Sequence, residues 1–142
     1  MPFPGPAEDR LAIRELLETY ADAVTRRDAA AWGATWAEDA VWSMPDYPEF
    51  PTQTGRDAIV ALWVEAMKAY PGIMFEAWPG SITSEGARAV VRSYTSEIYD
   101  QGAVTLRDRG VYDDVCVKRD GRWLFHSRTF RKIHRQQGPK GG

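Results

Sequence analysis

The sequence predicts an α+β domain in which N-terminal helices pack on a curved, mostly antiparallel sheet. Three observations predict it. Apolar residues recur at helical spacing only before residue 72; the chain after that point reads as four strand-like runs joined by short turn sequences; and no β–α–β alternation occurs. With 142 residues the chain is one domain, long enough to bury about two-thirds of its unfolded surface around a single core. The domain is expected over residues 8–134, with 1–7 and 135–142 as flexible termini.

Ile13, Leu16, Leu17, Tyr20 and Val24 fall on one apolar stripe at 100° per residue and predict a long amphipathic first helix. On that wheel Tyr20 points inward, Thr25 lies on the flank and Asp22 points out. Asp28 reads as the cap of a short second helix, DAAAWGATW, with Trp32 and Trp36 on one face. AVWSM (40–44) has strand character and leads into PDYPEFPTQT, whose prolines forbid regular structure. Thr54 and Asp57 frame a capping-box-like start for a third helix, with Ile59, Trp63, Met67 and Tyr70 as its apolar row. The strands follow: GIMFEAWPGSIT, ARAVVRSYTSEIYD, AVTLRDRGVYDDVCVKR and GRWLFHSRTFRKI. The last two are joined by Asp120-Gly121, a two-residue hairpin turn.

Strand alternation sorts this hairpin into two faces. Val115, Val117, Trp123 and Phe125 form an apolar one; Tyr112, Asp114, Cys116, Leu124, His126 and Arg128 form a mixed one. Two arrangements fit. Either the apolar face is the core and the polar cluster is solvated, or the mixed face walls a pocket and the apolar face is covered by a second subunit.

Lys and Arg number 18 against 20 Asp and Glu, so no broad positive field exists to hold a phosphate backbone, and nucleic acid is not expected as a partner. Cys116 is the single cysteine, which excludes an internal disulfide. Without a signal-like leader or a run of about 18 apolar residues, a soluble cytoplasmic protein with no membrane association is expected. His126 and His134 lie about 26 Å apart along a strand, too far to share a metal ion, and no phosphate-cradling glycine loop or nucleophile elbow occurs. Neither a metal nor another cofactor is expected.

The run GVYDDVCVKRDGRWLFHSR, preceded by LAIRELLETYADAVTRRDAAAWGATWAEDAVW, resembles the SnoaL-like branch of the nuclear-transport-factor-2-like superfamily over about residues 8–133. The resemblance implies a cone-shaped α+β fold enclosing an apolar pocket between helices and concave sheet. Members include polyketide cyclases, scytalone dehydratase, ketosteroid isomerase, hexachlorocyclohexane dehydrochlorinase and the non-catalytic small subunits of ring-hydroxylating dioxygenases. By similarity to the dehydrochlorinase, Arg128 matches a pocket arginine, Tyr112 an inward aromatic, Trp42 an inward tryptophan and Tyr20 the position of a helical lysine. The resemblance thereby implies the second arrangement, with His126 and Arg128 inward. The family's Asp–His dyad is missing: Thr25 stands where the aspartate would, and the FEAWPG stretch has no histidine.

Glu76 is then the expected proton-transfer carboxylate, since Met74, Phe75, Ala77 and Trp78 surround it and an apolar setting would raise its pKa. A sheet-edge ion pair is its structural alternative. His126 is a second candidate base, and Tyr20, Tyr112 and Arg128 are candidate stabilisers of enolate charge. Asp114 is expected to lock Arg128, and Trp42, Trp63, Trp78 and Thr25 to line the pocket. Asp46, Tyr47 and Phe50 sit on the proline loop as a candidate lid. The expected function is a cofactor-independent isomerase, cyclase or dehydratase acting on a small apolar or aromatic molecule; the alternative is a non-catalytic binding or assembly module. A homodimer through Val115, Val117, Trp123 and Phe125 suits both.

Overall fold

The computed structural model describes residues 2–141. Helix α1 (Ala7–Arg26) buries Ile13, Leu16, Leu17, Tyr20 and Val24, and Arg27 ends it in the left-handed conformation. Asp28 caps α2 (Ala29–Gly33), accepting the Ala31 N–H at 2.9 Å. Trp36 does not extend that helix, as its spacing suggested. It opens β1 (Trp36–Ser43), yet its ring still meets Trp32, with centroids 5.6 Å apart.

The third helix is capped differently from expectation. Thr54 belongs to β2 (Gln53–Thr54), paired with Val41 and Trp42, so the chain must turn sharply before the helix. Gly55 makes that turn at φ 96° and donates its N–H to Ala40 O at 2.7 Å, a conformation that a side chain would strain. Helix α3 (Arg56–Ala66) then runs into a 3-10 turn, Met67–Ala69, burying Ile59, Trp63 and Met67.

Four long strands complete the fold: β3 (Met74–Glu85), β4 (Arg88–Gln101), β5 (Val104–Arg119) and β6 (Arg122–Pro139). The sheet order is β2-β1-β6-β5-β4-β3, antiparallel throughout except where β1 runs parallel to β6. Asp120 and Gly121 turn the last hairpin at φ 51° and 76°. The result is the expected α+β cone, helices packed on one face of an unclosed curved sheet.

Strict alternation fails at two places in β6. Cys116 pairs with Phe125 but Val115 pairs with Ser127, so His126 is an extra residue; Gly110 pairs with Lys132 but Arg109 with His134, so Ile133 is another. Each bulge reverses the parity that follows it. Phe125 and Arg128 consequently share the inner face, which corrects the face assignment made from alternation. Trp123 and Phe125 are core residues, 6% and 0% exposed, and cannot form the expected subunit interface.

Both chain ends depart from the expectation of free termini. Strand β6 continues to Pro139, paired with Val104. Near the other end, Pro2 and Pro4 carbonyls accept the Ile82 and Ser84 N–H groups of β3 at 2.9 and 3.1 Å. Thr25 Oγ1 accepts the Phe75 N–H at 3.0 Å, and Pro79 has no N–H to offer, so most of this sheet edge is closed to further strands. No helix among the described residues is long and apolar enough to cross a membrane.

Candidate active site

The helices and the concave face of the sheet enclose a pocket of about 90 Å³. Its inner wall is aromatic: Tyr20 from α1, Trp42 from β1, Trp63 from α3 and Tyr112 from β5 all line it, as expected from the sequence. Trp42 Nε1 donates to Tyr112 Oη at 3.1 Å, and the Tyr112 hydroxyl neighbours that of Tyr20. Trp63 stacks on the fully buried Trp32 with centroids 4.5 Å apart. Burial pushes both Tyr20 and Tyr112 above the usual phenol range, so both are neutral hydrogen-bond donors. Tyr47 and Phe50 of the proline loop line it as well, while Asp46 of that loop accepts the Lys132 N–H at 2.9 Å.

Arg128 and Asp114 lie beneath this wall rather than in it. Arg128 is wholly buried and donates to Asp114 through Nε at 2.7 Å and Nη2 at 3.2 Å, and to Ser93 Oγ at 3.1 Å. Its guanidinium carbon lies 3.7 Å from the Tyr112 ring centroid, 4.1 Å from Phe125 and 4.5 Å from Tyr20. Nη1 has no hydrogen-bond partner among the described residues, and the surrounding π faces are what it meets instead. Burial alone disfavours the guanidinium charge, yet the paired charge of Asp114 outweighs it and holds Arg128 above its ordinary value. Burial lifts Asp114 above the ordinary carboxylate range against the opposing pull of Arg128. A bidentate ion pair thus sits behind the two tyrosines.

The remaining expected site residues lie elsewhere. Glu76 and Trp78 alternate with Phe75 along β3, and since Phe75 lines the pocket they face outward; Trp78 is 46% exposed. Thr25 is exposed on α1 and its hydroxyl is taken by the Phe75 backbone. His126, displaced by its bulge, has a side chain 38% exposed and meets Asp39 at 3.3 Å on the outer surface. Asp39 is itself held down to about 2, chiefly by its hydrogen bond from Arg119. The Asp–His contact found there is therefore a surface pair remote from the pocket lining.

The carboxyl that does line the pocket is Glu97 of β4. It is partly buried, and burial, followed by the nearby charge of Asp108, pushes its pKa up to about 8 against the opposing effect of Arg135. Such a group is mostly the neutral acid at pH 7 and becomes a carboxylate as pH rises through about 8. Sequence reading passed over Glu97, although it shares two-residue parity with Val91, Ser93, Thr95 and Tyr99, all buried. That parity was the available signal. Among the described residues, no group of three or more His, Cys, Asp or Glu side chains is arranged to hold a metal ion.

A family model described as a SnoaL-like domain matches residues 6–129. Among solved structures, a provisionally named scytalone dehydratase of Novosphingobium aromaticivorans is similar at 25% identity and TM-score 0.80, covering 95% of each chain. A type 2 hexachlorocyclohexane dehydrochlorinase, LinA, superimposes with TM-score 0.82 at 16% identity, covering 95% of this chain and 96% of its own. The type 3 enzyme of Novosphingobium barchaimii gives 0.79 at 16% identity, covering 95% and 92%. A search of curated proteins finds no match.

Proposed function

Because the chain belongs to the SnoaL-like domain family, we propose that its pocket transfers a proton on a small, mostly apolar carbonyl or hydroxyl compound, with Glu97 in the role the missing dyad leaves vacant. One observation carries the reading: an apolar, aromatic pocket contains a carboxyl whose pKa, about 8, is matched to work near neutral pH. As an acid, Glu97 donates its proton to a leaving hydroxyl or a carbonyl oxygen. As a carboxylate it removes a proton α to a carbonyl. Tyr20 and Tyr112 are placed to donate hydrogen bonds to developing negative charge on the substrate oxygen, and Arg128 supports them electrostatically from behind. Elimination or isomerisation is the reaction class, in keeping with relatives whose names denote loss of water and of hydrogen chloride.

The volume limits the substrate. About 90 Å³ is far below the ~300 Å³ of drug-sized sites, so a polycyclic compound does not fit while Tyr47 and Phe50 stay in place. A single-ring or shorter compound is the proposed class. The same volume favours one second reading, a binding or assembly module whose interior is nearly filled by its own aromatics. Screening small ketones and phenols for binding and then turnover separates the two. Turnover falling by about 100-fold or more in Glu97→Gln supports the enzyme; turnover unchanged in that variant removes Glu97; no binder in the panel favours the module.

The expected homodimer moves to the outer sheet face in this proposal. Met74 and Trp78 of β3, Val90 of β4 and Ile133 of β6 are large apolar residues left exposed on three of the four long strands, and covering such residues suits a second copy. Sedimentation of the protein and of Trp78→Glu tests it: a dimer that the variant dissociates supports the interface, and a monomeric parent protein refutes it.

A further inference from the structure

One ladder row crosses four strands: Phe75 of β3 pairs with Glu97 of β4, Glu97 with Asp108 of β5, and Asp108 with Arg135 of β6. Residues directly opposite in such a row bring their Cβ atoms to about 4.5–5.5 Å. Asp108 is 3% exposed and receives three hydrogen bonds: Arg135 Nε at 2.8 Å, Arg135 Nη2 at 3.0 Å and Tyr99 Oη at 2.8 Å. Tyr99 in turn packs edge-on against the pocket-lining Tyr70, with centroids 4.5 Å apart. The clamp exists only because of the bulge at Ile133. Were Ile133 paired with Arg109 instead of bulged, the register would set His134, not Arg135, opposite Asp108.

We propose that the Asp108–Arg135–Tyr99 clamp is a positioning unit: it fixes a negative charge one strand away from Glu97 and thereby governs when Glu97 gives up its proton. The inference rests on the reading of Glu97 as the proton-transfer group. Two adjacent carboxyls do not both ionise readily, and here the clamp satisfies Asp108 with a guanidinium and a hydroxyl while Glu97 faces the apolar pocket. The ionisable and charged groups around Glu97 are Asp108, Arg135, Tyr47 and Tyr70, with Tyr99 held on Asp108, and Glu76, Arg107 and Arg109 around a second small cavity that Glu97 also borders. Burial raises the three tyrosines above the ordinary phenol range, so none carries charge near neutral pH. On the pocket side Asp108 and Arg135 are left as the fixed charges, of opposite sign, and they are the charges that shift Glu97, with Asp108 the stronger influence.

The test is the titration of the Glu97 side-chain carboxyl, followed by carbon NMR on protein labelled at glutamate, with no substrate present. The midpoint in the unmodified protein is expected near 8. Asp108→Asn is expected to lower it by about one unit or more, a tenfold or larger gain in carboxylate at a given pH below the midpoint. Should that variant lose its folded circular dichroism signal, the double variant Asp108→Asn/Arg135→Gln carries the same measurement, and a smaller fall is expected. A midpoint unchanged or raised overturns the inference. Because the readout needs no turnover, a midpoint that follows Asp108 in a protein inactive on every compound leaves the clamp standing and removes only the enzymatic reading.

Discussion

Arg128 and Asp114 face one another on adjacent strands as a bidentate pair at 2.7 and 3.2 Å, with neither side chain reaching solvent. Removing one partner leaves a buried charge unpaired. Asp114→Asn is therefore expected to cost about 3–5 kcal/mol, whereas the double change Asp114→Leu/Arg128→Met is expected to cost less. Urea unfolding of the three proteins checks both; equal losses would mean that the pair is not what stabilises this layer.

Glu97 makes stability depend on pH. Its pKa is raised from 4.5 to about 8, so the native state holds the proton more tightly than the unfolded chain does. The associated stability is complete below pH 4.5 and is lost as pH rises through 8. Glu97→Gln is expected to match the parent protein near pH 4 and to exceed it by roughly 2 kcal/mol at pH 8.5, after discounting for partial exposure. Thermal melts across this range check the sign.

Phe50 and Tyr47 line the pocket from the proline loop. Phe50→Ala is expected to admit two-ring ligands that the parent protein excludes, at a stability cost of about 1 kcal/mol, because the side chain is only partly buried on a loop. Calorimetric titration with a one-ring and a two-ring phenol reads the change. Identical ligand ranges for variant and parent would show that the loop does not limit access.

His126→Ala and Glu76→Gln are expected to leave stability within about 0.5 kcal/mol and turnover unchanged, since both groups face solvent. Assays of both against any substrate found for the parent protein test this directly. A hundredfold loss in either would return the chemistry to residues that the fold places outside.

Much of the architecture was legible because local chemistry dictates it. The stripe from Ile13 to Val24, the Asp28 cap and the Asp120-Gly121 turn each act within a few residues, and each formed as the spacing indicated. The aromatic wall of Tyr20, Trp42, Trp63 and Tyr112 was legible too, since large rings on apolar faces are driven inward. Glu76 was misplaced because its apolar sequence neighbours are not its spatial neighbours: on a strand, adjacent residues point to opposite faces.

By itself, then, the sequence determined the order of helices and strands, the turn chemistry and the identity of most of the apolar wall. Tertiary structure alone decided which polar groups share a face. The two β6 bulges show why: each inserts one residue where the pairing partner has none, so that Arg128 rather than Ser127 meets Asp114, and Arg135 rather than His134 meets Asp108. Alternation along one strand carries no record of such a slip, because a bulge is selected by the pairing of two strands and by the burial it achieves.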